Sequence, residues 1–300
     1  KIKFQFINSG HIPGGASILL KIEGMNVLYT ADINTEDTLL MMPSPLEHLD
    51  MPIDVLITEN TYGDREPPDR AETEIGFIKS IEECIKGGGS ALIPVFSVGR
   101  SQEILLMLDK INPDIPIYLD GMPRKLTEKI VRSDDPYIDN KDLLHKMFKR
   151  AISVRSGRDR PGIAKKKGVV IVSSSGMIQG GPVVSYTEFF INNPENFIIL
   201  TGFQANGTNG RSVFEDHMFY NNHNRFPVKC HVRKFDFSAH YGQGGIHKLI
   251  EKIKPTNLIL QHGDINALEA VNLWIKNNPE VKSKVYVPDI GQEMDFPSKK

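Results

Sequence analysis

The chain has 300 residues, 40% hydrophobic and 24% charged, enough for two domains or one large one and ordinary for a globular protein. No apolar run approaches the roughly eighteen residues of a membrane span, and the opening KIKFQFINSG is too polar and too short to read as a secretory leader. Cys84 and Cys230 form no CxxC pair, which excludes a disulfide scaffold and a thiolate zinc module, and a net charge of −1 gives no global attraction to nucleic acid.

Predicted strands and helices alternate. After the glycine turn SGHIPGG comes an apolar strand, then the strands MNVLYTAD and DVLITEN, each running into a carboxylate. Ile75, Ile78, Ile81 and Ile85 stand at helical intervals, and the glycines at 87 to 89 stop that helix. SALIPVF is a buried strand, GRSQEILLMLDKI a helix, IPIYLDG a strand and MPRKLTEKIVR a helix. KGVVIVSSSGM and NFIILTGFQ are strands that run into polar, glycine-rich turns. VKCHVRKFDFSAH, the helix GGIHKLIEKI, NLILQHGD, the helix NALEAVNLWIKN and KVYVP complete the order. This alternation predicts an α/β protein.

Predicted strand ends carry Asp32, Glu59, Ser173 to Ser175, His240 and His262. Ligands of α/β sheets bind at the carboxyl ends of strands, so residues distant in sequence can converge there. His11 sits among glycines that allow close backbone approach. Neutral imidazole is a common metal ligand, and Glu59 could orient a histidine by accepting its ring proton. Singly, each of these residues reads as readily as a cap or a turn former. Together they call for one explanation.

Lys146 to Lys167 contains nine Lys or Arg and one Asp. The run reads either as a solvated surface loop or as a contact for a phosphate backbone. SSSGMIQGG and GFQANGTNGR offer hydroxyls, backbone amides and Arg211, a composition that suits phosphate or a tight turn. Arg100 lies at a predicted helix N-terminus, which favours anions.

Eight segments, GHIPGGAS, YTADIN, TENTYGDR, IPVFSVGRSQE, SSSGMIQGGP, GFQANGTNGR, DFSAH and QHGD, follow one another over nearly the whole chain. In this order they resemble the β-CASP proteins of the metallo-β-lactamase superfamily, and their wording is similar to the archaeal and cleavage-factor branch. The resemblance implies a partial metallo-β-lactamase αββα sandwich, residues 1–66 and 228–300, with an inserted β-CASP α/β domain, residues 67–227. It implies a zinc-dependent ribonuclease, an endonuclease with 5′ to 3′ exonuclease action as a second mode, using two zinc ions per complete site. His11, Asp32 and His262 match metal ligands. His240 matches the general acid and Glu59 its holder. Ser238, Arg100 and Arg211 are placed to contact phosphate. RNA is the implied substrate, a homodimer the implied assembly and the cytoplasm the expected compartment, with no membrane association.

The family's HxHxDH zinc motif is absent, since the nine histidines include no HxH pair. The expectation is therefore a chain that continues upstream, or one completed by a separate subunit, and that is inactive alone. Two other readings stand beside it: an inactive RNA-binding or scaffold subunit, and a metallo-hydrolase of small molecules.

Overall fold

A computed structural model describes residues 1–297. The chain forms two compact units: Lys1–Pro67 with the segment from Ser238 onward, and Pro68–Phe237. Along the first part run β1 (Lys3–Asn8), β2 (Ala16–Ile22), β3 (Met25–Tyr29) and β4 (Val55–Glu59). The middle carries α1 (Arg70–Lys86), β5 (Ala91–Pro94), α2 (Arg100–Met107), β6 (Ile117–Asp120), α3 (Met122–Arg132), α4 (Lys141–Arg150), β7 (Ile152–Ser153) and α5 (Arg160–Ala164). It continues with β8 (Val170–Ser173), α6 (Pro182–Phe190), β9 (Phe197–Leu200), α7 (Asn209–Glu215), β10 (Met218–Asn221), β11 (Asn224–Pro227) and β12 (His231–Lys234). The chain then forms α8 (Gln243–Ile253), β13 (Asn257–Gln261), α9 (Ile265–Asn277) and β14 (Lys284–Tyr286).

In the first unit the six strands form one mixed sheet in the order β1-β2-β3-β4-β13-β14. The β1–β2–β3 meander is antiparallel, while β3, β4, β13 and β14 pair in parallel. Leu28, Leu56 and Leu258 from the sheet pack with Ile246, Leu249 and Ile250 of α8 and Val271 and Ile275 of α9. These helix residues recur every three or four positions, which turns one apolar stripe toward the sheet. The partner sheet of an αββα sandwich is not among the described residues. Ile2, just before β1, and Phe4 and Phe6 on it follow the period of two, and all three are exposed.

The second unit is a six-stranded, all-parallel sheet, β12-β9-β5-β8-β6-β7, plus the hairpin β10–β11. Its central strands read ALIP, VIVS and FIIL and are buried throughout. Such near-continuous apolar runs are what a sheet covered on both faces requires. The hairpin turns through Asn222 and His223, both with positive φ (48° and 63°), the geometry of a tight two-residue connection.

The helix expected from the isoleucine spacing forms as α1 and stops at the glycines, and its buried residues include Phe77, Ser80, Ile81 and Cys84, while Ile75 is 54% exposed. Two expectations need correction. The return to the first unit was placed at residue 228, but β12 pairs with β9 and so keeps residues up to Phe237 in the second. The basic run is not one continuous loop: it takes in the end of α4, β7 and α5, with β7 paired to β6, and short irregular stretches such as the one that carries Arg155. Arg150 caps the carbonyls of Leu108 and Asn112, Lys146 pairs with Asp109, and Lys167 with Glu195. Both cysteines are free and buried. Among the described residues no helix is long and apolar enough to cross a membrane.

Candidate metal centre

The parallel strands β3, β4 and β13 lie side by side and in register, Tyr29 opposite Ile57 and Glu59 opposite Gln261. Their carboxyl ends therefore open at one edge of the sheet. Glu59 is the last residue of β4, His262 follows β13 directly, and Asp32 lies just past β3. Because β2 runs antiparallel to β3, the β1–β2 turn that carries His11 falls at the same edge. His240 arrives on the loop before α8, where Tyr241 N–H donates to Ile33 C=O at 2.9 Å. The backbone is bent to make these approaches. Ala31, beside Asp32, and His262 itself adopt φ of 53° and 49°, a region that non-glycine residues enter mostly at constrained sites.

Asp32, Glu59, His240 and His262 each offer one ligand atom within 4.8 Å of all the others. His11 joins them. Its ring lies 4.6 Å from that of His240, centroid to centroid, and its Nε2 is 3.8 Å from Asp32 Oδ2. His262 Nδ1 is 3.3 Å from Asp32 Oδ1. Exposure grades across the cluster: the Glu59 side chain is 0% exposed, Asp32 43% and His262 52%.

Glu59 holds the buried end. Its Oε1 accepts the Ile33 N–H at 2.7 Å, its Oε2 accepts the Thr61 hydroxyl at 2.5 Å, and His240 Nδ1 is 2.7 Å from both oxygens. Burial alone would raise this carboxyl, but the hydrogen bonds from His240 and its neighbours outweigh it and hold the group at about 2. Glu59 is thus an anion whose lone pairs are committed to protein donors, and His240 is left with Nε2 as its free nitrogen.

His11 Nδ1 donates to Ala239 C=O at 2.7 Å, which puts the proton on Nδ1 and leaves the Nε2 lone pair facing Asp32. Burial, reinforced by the neighbouring His240, lowers its pKa, so the ring is neutral near pH 7, the form that binds metals. The Glu59 carboxylate, opposed by burial and aided by Asp32, raises that of His262. The donor set fits a zinc ion. Two donors about 2.1 Å from a tetrahedral ion stand about 3.4 Å apart, close to the separations that Asp32 makes with His262 and His11.

Gly10 fixes the His11 turn. It has φ of +72°, and a Cβ there would lie 2.3 Å from Asn34 O and 2.7 Å from Ser44 N. Ser238, half-buried, uses its Oγ to accept the His240 N–H at 3.0 Å. Arg100 and Arg211 belong to the second unit, at the starts of the helices that follow β5 and β9. Arg100 lies over the Phe237 ring at 5.7 Å, and Arg211 is paired with Glu215 at 2.7 Å. Thr61 escaped the sequence reading. Besides its bond to Glu59, its hydroxyl is 3.3 Å from Nδ1 of both His240 and His262. The available signal was its place two residues past Glu59 in the same turn.

A Beta-Casp domain model matches residues 101–213, and a model described as the Zn-dependent metallo-hydrolase RNA specificity domain matches residues 225–288. The chain belongs to the β-CASP family of the metallo-β-lactamase superfamily. It is 38% identical over 265 residues to "Probable RNase MJ4" of Methanocaldococcus jannaschii, an alignment covering 87% of this chain and 62% of that protein. To "RNase aCSPSF2" of Saccharolobus solfataricus it is 34% identical, covering 98% and 59%. To "Cleavage and polyadenylation specificity factor 73" of Drosophila melanogaster it is 30% identical, covering 93% and 42%. The chain thus spans 42 to 62% of the length of these relatives.

Proposed function

We propose that the protein is a zinc-dependent ribonuclease that hydrolyses phosphodiester bonds, as an endonuclease with 5′ to 3′ exonuclease action as a second mode. The observation that carries this reading is the cluster of Asp32, Glu59, His240 and His262 within metal-binding reach of one another, with His11 Nε2 3.8 Å from the Asp32 carboxylate and His240 clamped by the buried Glu59. The names of the relatives and the description of the RNA specificity domain support RNA as the substrate. The metallo-β-lactamase sandwich for the first unit and the β-CASP domain for the second are part of the same proposal.

His11 through Nε2, Asp32 through its carboxylate and His262 through Nδ1 are the proposed zinc ligands. When bound, zinc lowers the pKa of a coordinated water to about 7 and polarises phosphoryl oxygens. His240 hands a proton from Nε2 to the leaving oxygen, and Glu59 fixes the ring by accepting from Nδ1. Ser238, at the head of the same turn, contacts the scissile phosphate, and Arg100 and Arg211 contact flanking phosphates, Arg211 by exchanging its Glu215 partner. Structural zinc ions take four ligands each and catalytic ones about three. Two ions therefore need donors beyond the three named, supplied by further residues of the protein or by a partner subunit.

The test is removal and return of metal. Chelation should abolish cleavage of RNA by the intact protein, and stoichiometric zinc should restore it. Salt-sensitive RNA binding with no cleavage at any zinc level would instead establish an RNA-binding subunit. Hydrolysis of small esters with RNA untouched would establish a small-molecule hydrolase.

A further inference from the structure

At the carboxyl end of β6 the second unit carries a cavity of about 290 Å³. Arg124 and Lys125 come to it from the first turn of α3, and Arg155 and Arg160 from the basic run. Its acid is Asp120, the last residue of β6. Asp120 is already neutralised: Oδ2 accepts Arg160 Nε–H at 2.8 Å and the Tyr186 hydroxyl at 2.9 Å. Four cations against one carboxylate leave a surplus of three positive charges.

That surplus is uncommitted. Among the described residues Arg124, Lys125 and Arg155 form no ion pair, in contrast to Lys146 and Lys167 of the same run. Arg124 Nε is buried with no hydrogen-bond partner, an arrangement that native proteins rarely leave unexplained. The eleven-residue α3 begins at Gly121 without a side-chain cap, so the positive end of its dipole opens on the same space. Gly121 has φ of +85°, and a Cβ there would lie 2.7 Å from Ser174 Oγ, so the turn that aims the helix at the cavity is sterically fixed.

We propose that this cavity, built wholly from the second unit, binds a phosphate group, and that the group is a backbone phosphate of RNA. The RNA source rests on the function proposed above. The phosphate chemistry does not, and a free mononucleotide or inorganic phosphate is its other source. The basic run thereby divides into residues that staple the fold, Lys146, Arg150 and Lys167, and residues that face a ligand, Arg155 and Arg160.

The test compares the intact wild-type protein with Arg155→Gln and with the double variant Lys125→Glu/Arg155→Glu. Lys125 and Arg155 are exposed and form no ion pair among the described residues, so the melting temperatures and metal content of the variants should match wild type. Binding of a short 2′-O-methyl RNA is read by fluorescence anisotropy over a salt series, and AMP and inorganic phosphate by calorimetry. The double variant should bind the RNA about tenfold more weakly, with a salt slope shallower by about one to two. Phosphate or AMP binding lost in the variants with RNA affinity unchanged would support the cavity and overturn its RNA source. The same loss in a protein that binds no RNA at all would support the cavity and sink the function proposed above. Equal binding of RNA, AMP and phosphate by all three proteins would overturn the proposal.

Discussion

Glu59 Oε2 and His240 Nδ1 lie 2.7 Å apart, joined across 181 residues of sequence, and the carboxylate is 0% exposed. A buried anion of this kind is stable only while its donors remain in place. Glu59→Ala strands the Ile33 N–H, the Thr61 hydroxyl and His240 Nδ1, and should destabilise the first unit by about 3 kcal/mol. Glu59→Gln keeps an acceptor and should cost about 1 kcal/mol. Urea unfolding of both variants checks the order, and equal losses would show that the charge and its hydrogen bonds do not hold the cluster.

Gly10→Ala should destabilise by at least about 2 kcal/mol, because φ of +72° and a Cβ 2.3 Å from Asn34 O act together. The turn that bends is the one that aims His11 Nε2, so zinc affinity should fall as well. A chelator competition carried out at a temperature where the variant is fully folded separates the two effects. Wild-type affinity there would remove His11 from the ligand set.

Glu74 links stability to pH in the second unit. Burial opposes its ionisation, but Arg70 at 2.8 Å and Lys110 at 2.7 Å outweigh burial and lower its pKa below 4.5. A depressed carboxyl contributes stability that is fully present above its unfolded pKa and fades as pH falls through the folded one. The difference in unfolding free energy between wild type and Glu74→Gln should therefore be constant from pH 7 to about 5 and shrink below about 4.5. A difference that grows on acidification would contradict the sign.

The carboxyl edge of the first sheet was legible because strand ends announce themselves: an apolar run stopping at Asp32, Glu59 or His262 is readable from one sequence. His11 and His240 sit in loops, and their relation to the strands follows only from the β1–β2 turn direction and the Ile33–Tyr241 hydrogen bond. Thr61 was not legible, since a threonine in a polar turn has no signature until two histidines close on it. The isoleucine spacing predicts α1 itself but not its buried face, because isoleucine and phenylalanine are interleaved there and either phase makes a plausible stripe. The basic run misled through composition: charge count does not reveal that Arg150 caps carbonyls while Arg155 has no ion-pair partner among the described residues.

The account turns on His240 acting through Nε2 while the metal ligands stay intact. The most direct measurement is RNA cleavage by the intact protein carrying His240→Ala, with zinc content determined on the same sample. Cleavage should fall by about two to four orders of magnitude, the usual contribution of a general acid, with zinc per chain unchanged. Cleavage at the wild-type rate would contradict the role given to His240, and loss of zinc with activity would make it a ligand instead.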